Sequence, residues 1–112
     1  MGWKIEYYNE KVRAEIMGLP IKAFAKYEMI VARLEQFGPD IQRMPHMRYL
    51  QKGLWEIRAI ASDGSARIFY CLCRNDVFLM LHSFLKKSQA TPIKELNKAL
   101  KRMKEVQNEQ NE

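Results

Sequence analysis

LWEIRAIASDGSARIFYCLCRNDVFLMLHSF, residues 54–84, decides the fold. Leu54–Ile60 alternates apolar and polar side chains, Ala66–Cys73 is rich in aromatic residues, and Val77–Phe84 alternates again. Between these runs stand Ser62-Asp63-Gly64-Ser65 and Arg74-Asn75-Asp76, residue types that reverse a chain. Three strands joined by short turns form an antiparallel meander. Such a sheet must bury one face, so the flanking sequence has to supply a cover.

The cover lies N-terminal to it. Asn9 is a candidate cap for a helical pattern that places Val12, Ile16 and Leu19 on one side. Pro20 interrupts the pattern; Ile21, Phe24, Tyr27, Ile30, Val31 and Leu34 then recur at helical spacing up to Gly38-Pro39. The spacing predicts two helices, or one kinked at Leu19-Pro20, because proline removes a helical hydrogen bond. Trp3–Tyr8 alternates as a short first strand, and Asp40–Gly53 reads as an irregular, basic connector. Thr91-Pro92, with Glu95 close behind, opens a last helix with Ile93, Leu96, Ala99, Leu100 and Met103 on one side. The expected order is β-α-α-β-β-β-α. This is an α+β domain over residues 1–106, a small curved antiparallel sheet covered by two N-terminal helices, with a C-terminal helix and a fraying polar tail over 107–112.

Composition narrows the partners. The 112 residues fit a single domain, and a net charge of +6 favours polyanions: nucleic acid, the ribosome, an acidic protein or a membrane surface. No apolar run approaches the roughly 18 residues that span a bilayer. The N-terminal residues lack the apolar core of a secretory signal, and Glu6 stands where a myristoylation signal wants Ser or Thr. Cys71 and Cys73 share a strand face two residues apart, where a disulfide would be strained, and no third ligand at metal spacing accompanies them. Reduced cysteines, a cytoplasmic location, no metal and no cofactor are the expectations.

Strand periodicity assigns faces. Setting the aliphatic sides of the three runs (Trp55, Ile57, Ala59; Ile68, Tyr70, Leu72; Val77, Leu79, Leu81) against the helices leaves Glu56, Arg58, Arg67 and His82 on one open surface, with Lys86 at its edge. Cleavage of RNA by its own 2′-hydroxyl needs a base for that proton, cations for the phosphate charge and an acid for the leaving 5′-oxygen. The same set also suits simple phosphate binding. A lone strand histidine is more often structural, Arg58 beside Glu56 can be a surface ion pair worth little, and Lys86-Lys87 can be a solvated strand end. Trp55, Phe69, Tyr70 and Phe84 read as core before base-stacking residues, while Tyr49 in the basic connector is the candidate for stacking on a base.

Three motifs in order sharpen the choice. Leu54-Trp55-Glu56-Ile57-Arg58, Arg67-Ile68-Phe69-Tyr70, and the run from Leu81-His82-Ser83-Phe84 through Lys86-Lys87 to Thr91-Pro92 resemble the phage-derived HigB-like branch of the RelE/ParE toxin superfamily. That branch reads LWELR, then R-hydrophobic-Y/F-Y, then LLHgFxKKtqkTP, followed by a helix with a central alanine, here Ala99. The likeness is close from about Leu50 to Lys101 and persists before that only as element order. It implies a RelE-like fold and a ribosome-dependent, metal-independent mRNA interferase, neutralised by a helix-turn-helix, HigA-like antitoxin in a hetero-oligomer. It implies that Arg58 and Arg67 hold the scissile phosphate, that His82 transfers a proton and that Lys86 or Lys87 neutralises the leaving side. Arg48, Tyr49 and Lys52 would approach ribosomal or messenger RNA. Some members use a C-terminal tyrosine in proton transfer, but no tyrosine follows Tyr70, so acid and base stay unassigned. Glu56 also stands where some relatives carry a basic residue. Two other readings remain open: a ParE-like protein that poisons gyrase by contact, and a non-catalytic binder of RNA or protein.

Overall fold

A computed structural model of the chain describes residues 2–87 and 90–110; Ser88, Gln89 and the last two residues of the expected tail lie outside it. Its helices are α1 (Glu10–Met17), α2 (Ile21–Phe37) and α3 (Ile93–Gln110). Its strands are β1 (Lys4–Tyr7), β2 (Met47–Gln51), β3 (Leu54–Ala61), β4 (Gly64–Cys73) and β5 (Val77–Leu85). They form one sheet in the order β1-β5-β4-β3-β2, antiparallel except for the parallel pair β1 and β5. The α+β class and the meander are as expected, but the sheet has one more strand.

Local chemistry sets the helix boundaries. Asn9 caps α1 through its Oδ1, which accepts from the Val12 amide at 2.8 Å. Pro20 separates α1 from α2, so α2 begins with no side-chain cap of its own. Asp63, in the turn between β3 and β4, supplies one from a distance. Its two carboxylate oxygens accept from the Lys22 and Ala23 amides at 2.7 and 3.1 Å. One anion thus satisfies two orphan donors and sits at the positive end of the helix dipole. At the other end Gly38 holds φ +66°, and a Cβ there would collide with the Trp3 indole.

Two expectations about the sheet need correction. Within the basic connector, Met47–Gln51 is a strand, β2, with Met47 opposite Ile57, Arg48 opposite Glu56 and Tyr49 opposite Trp55. Its alternation is too short and too polar to read alone; the free edge of β3 makes it a strand. The second correction is that both sheet faces are covered. Val12, Ile16, Ala23, Tyr27, Ile30 and Leu34 from α1 and α2 pack one face, against Ile57, Ile68, Tyr70, Phe78 and Met80. Against the other face α3 packs Ala99 and Met103, over Phe69, Cys71, Val77, Leu79 and Leu81. Helix phase also corrects two stripe members: Ile21 and Ile93 are 84% and 72% exposed. Each stands in the first turn, off the buried stripe that follows it. No helix breaker follows Pro92, so α3 runs on through residues 107–110, where a fraying tail was expected.

The strand parity of β5 is the reverse of the expectation. Phe78 and Met80 face α1 and α2, whereas Val77 and Leu79 face α3. Continued alternation would bury His82 among the N-terminal helices. Instead the register shifts: Tyr70 pairs with Met80 but Phe69 pairs with His82, leaving Leu81 as an extra residue. This β-bulge returns His82 to the α3 face. So His82 and Arg67 do share a face, as expected, but only because a bulge reverses the parity.

Removing the long-range cap should loosen α2 first. Asp63→Ala is expected to lower unfolding free energy by about 1–2 kcal/mol, read from urea denaturation, with Asp63→Asn retaining most of the wild-type value.

Candidate functional site

Cross-strand register builds the site as two adjacent rows. Arg48, Glu56, Phe69 and His82 stand opposite one another from β2 to β5; beside them run Arg58, Arg67 and Phe84. Lys86 lies just past the end of β5, where its amide donates to the Ser65 carbonyl at 2.7 Å. The Arg58, Arg67, His82 and Lys86 expected together therefore do meet, and Arg48 joins them from the strand that sequence alone did not reveal.

The centre of the cluster is nearly dry. Glu56, Arg67 and His82 are 2%, 4% and 5% exposed. Glu56 Oε2 lies 3.6 Å from Arg67 Nε, close enough for an ion pair and too long for a hydrogen bond, and both atoms are sealed without another partner. Arg67 Nη1 donates to Ser65 Oγ at 2.8 Å. Burial lowers the Arg67 pKa from its ordinary value, while Glu56 pulls the other way. Burial and then the neighbouring Arg67 charge lower that of Lys86. Glu56 is thus the only carboxylate among Arg48, Arg58, Arg67 and Lys86, the groups whose charges these two feel. The surface pair weighed between Glu56 and Arg58 does not form. Arg58 Nη1 instead donates to the Pro45 carbonyl at 3.1 Å, tethering the loop before β2.

His82 is held from two sides. Its Nε2 is 2.7 Å from Glu95 Oε1 on the first turn of α3, and its ring lies near-parallel to Phe84 at 6.0 Å. Sequence reasoning noticed Glu95 only as a helix-start residue; a separation of 13 positions with no periodic relation hid the contact. Ser65 was likewise read only as a turn residue. Arg102 was missed altogether: its Nη1 donates to the Leu81 carbonyl at 2.6 Å, satisfying the bulge.

Three expected contact residues stand apart from the rows. Tyr49 is exposed, but it is opposite Trp55, which packs against the core under α1 and α2, so its ring is on the other face from Arg48. Its hydroxyl accepts from the Gly53 amide at 3.1 Å, and its ring meets Trp55 edge-on at 5.3 Å. Lys52 sits in the turn between β2 and β3 with φ 55°, and Lys87 is exposed beyond β5. Of the aromatic residues, Phe69 and Tyr70 are fully buried and Trp55 and Phe84 half-buried. Cys71 and Cys73 are buried beneath α3, and burial pushes the Cys71 thiol up to about 12. Among the described residues no three His, Cys, Asp or Glu side chains converge as metal ligands would, and no helix is long and apolar enough to cross a membrane.

The family model described as "Phage derived protein Gp49-like (DUF891)" matches residues 14–104. Among solved structures, a free-state mutant of the E. coli toxin RelE, with two arginines replaced by alanine, is similar at a TM-score of 0.62 and 13% identity. The match covers 91% of this chain and 98% of that one. Likeness at that identity is one of fold, and the fold is RelE-like. A search of curated proteins found no match.

A cation cluster with Arg48 exposed and Arg58 and Lys86 half-buried should bind single-stranded RNA with affinity that falls linearly in log salt, by about 0.7 per neutralised phosphate. Replacing Arg48, Arg58 and Lys86 together with alanine is expected to flatten that slope by about 2, measured by fluorescence anisotropy. An unchanged slope would place the RNA elsewhere.

Proposed function

The chain belongs to the phage-derived Gp49-like family, and on that premise we propose that it is the toxin of a type II toxin–antitoxin pair, acting as a ribosome-dependent messenger endoribonuclease. One observation carries the reading: Glu56, Arg67 and His82 are gathered, nearly dry, within a ring of cations on one sheet face. A site for phosphate alone needs no buried carboxylate in its centre. A site for 2′-hydroxyl attack does need a base there. The RelE-like fold and the three ordered motifs support the same class.

In this reading the phosphate enters from the solvent side of the rows, at Arg48, Arg58 and Lys86, and Arg58 and Arg67 hold it. Glu56, the carboxylate among these cations, takes the proton from the 2′-hydroxyl. That oxygen forms a bond to phosphorus while the bond from phosphorus to the 5′-oxygen breaks, and imidazolium His82 gives its proton to the leaving oxygen. The products are a 2′,3′-cyclic phosphate and a 5′-hydroxyl. Phe69 separates Glu56 from His82 in the row, so their Cα atoms are two strand spacings, about 10 Å, apart. Base and acid reaching inward from opposite sides suit an in-line displacement at one phosphorus. Arg67 stabilises the charge that develops on the phosphate oxygens, an effect that a dry site magnifies. Lys86, with Lys87 beyond it, neutralises the leaving side. Arg48 extends the contact toward ribosomal or messenger RNA, and Tyr49, on the other face, and Lys52, in the β2–β3 turn, would meet RNA separately from the rows. A HigA-like helix-turn-helix antitoxin would be the neutralising partner, in a hetero-oligomer formed in the cytoplasm.

The wild-type protein is expected to cut messenger on translating ribosomes and leave 2′,3′-cyclic ends, read by primer extension and end-group analysis. No cleavage, with gyrase-linked DNA breaks on expression, would favour the ParE-like reading instead. His82→Ala and Glu56→Gln are each expected to slow single-turnover cleavage by about 10²–10⁴-fold. A loss of less than about threefold would remove that residue from proton transfer.

A further inference from the structure

The first three turns of α3 grip the strand segment that presents His82. Glu95 Oε1 lies 2.7 Å from the imidazole Nε2, and Arg102 Nη1 donates to the carbonyl of Leu81, the residue immediately before His82. Glu95 and Arg102 are two helical turns apart, on one side of the helix. Between them is Ala99, fully buried, whose small side chain lets the helix approach the bulge closely. Arg102 is itself pinned by a cation–π contact 4.8 Å from the Tyr8 ring centroid. The helix thus holds both the imidazole and the peptide that aims it.

This geometry constrains the proton on His82. An ionised carboxylate can only accept, so the nitrogen facing Glu95 must donate. We propose that Glu95 is a positioning residue: by accepting from Nε2–H it holds His82 in one tautomer and leaves Nδ1 as the nitrogen that exchanges a proton with RNA. The second clause rests on the ribonuclease reading, and the first does not. Glu95 reaches the two rows through His82. It acts through the ring, as a carboxylate orients a histidine in other proton-transfer sites. Phe69 and Phe84 hold the ring faces, and neither can choose between tautomers, which leaves Glu95 as the group that does.

Histidine nitrogen NMR separates this role from simple docking of the helix. The chain has two histidines, so a His46→Gln variant assigns both ring spectra. Neutral His82 is expected to carry its proton on Nε2 in the wild type. In Glu95→Ala the tautomers should mix, and the turnover rate of cleavage should fall about tenfold or more with KM little changed. Glu95→Gln, whose amide oxygen still accepts, should keep the Nε2–H form and recover part of the rate. Arg102→Met, which releases the Leu81 carbonyl and the Tyr8 ring but leaves the Glu95 carboxylate in place, should lower the melting temperature and leave the tautomer alone. A wild-type proton on Nδ1 would overturn the proposal, and so would a Glu95→Ala spectrum and rate equal to wild type. Where Glu95→Ala does not fold, a wild-type proton on Nδ1 still overturns the hold, and Glu95→Gln tests it in a folded protein. A wild type that cuts no messenger overturns the assignment of Nδ1 to RNA, together with the ribonuclease reading. The spectrum still judges the hold of Glu95 separately.

Discussion

One extra residue in β5, Leu81, determines which side of the sheet carries His82. β5 is the most enclosed strand: it pairs with β1 on one edge and β4 on the other, with α1 on one face and α3 on the other. A strand buried on both faces reads as continuous apolar sequence, and VFLML gives no hint of which side is which. Without the bulge, the alternation that buries Phe78 and Met80 under the N-terminal helices would bury His82 there too. With it, Phe69 and His82 become partners, and His82 joins the row of Arg48 and Glu56. The bulge needs a donor for its carbonyl, and Arg102 supplies one. α3 is thereby part of the site's architecture as well as a cover.

The pair at the centre is a poor stabiliser. Glu56 and Arg67 have both left water, and their Nε–Oε2 separation of 3.6 Å returns an ion pair without a hydrogen bond. Desolvating two such charges costs several kcal/mol, and a buried pair rarely recovers more than that. Arg48, Arg58 and Lys86 around it add repulsion that only Glu56 offsets. A fold selected for stability alone would fill these positions with apolar residues. On the proposed reading, the charge of an incoming anion would complete the balance.

Elsewhere the fold is held by contacts that cross long stretches of chain. Asp63 caps a helix that begins some forty residues earlier, because Pro20 leaves no room for a local cap. Glu95 meets His82 across a loop, and Tyr8 meets Arg102 from the opposite end of the sequence. Such contacts depend on architecture more than on residue identity elsewhere, which is how a RelE-like fold is reached over 91% of the chain at 13% identity.

Much of this was legible in the residues alone. Turn clusters at Ser62–Ser65 and Arg74–Asp76 set the meander, Pro20 separated two amphipathic helices, and the ordered motifs pointed to basic residues that the fold places on one sheet face. Local periodicity and turn chemistry act over a few residues, so a linear reading captures them. It could not supply β2, which forms because β3 offers an edge. Nor could it supply the Leu81 bulge, the cover by α3 or the Glu95 and Arg102 contacts. Period-two counting put His82 on the correct face by compensating errors, an inverted β5 cancelled by a bulge. Residue types thus determined what chemistry the chain can perform. Only the tertiary structure decided which side chains meet, because register and burial are set between strands and helices distant in sequence.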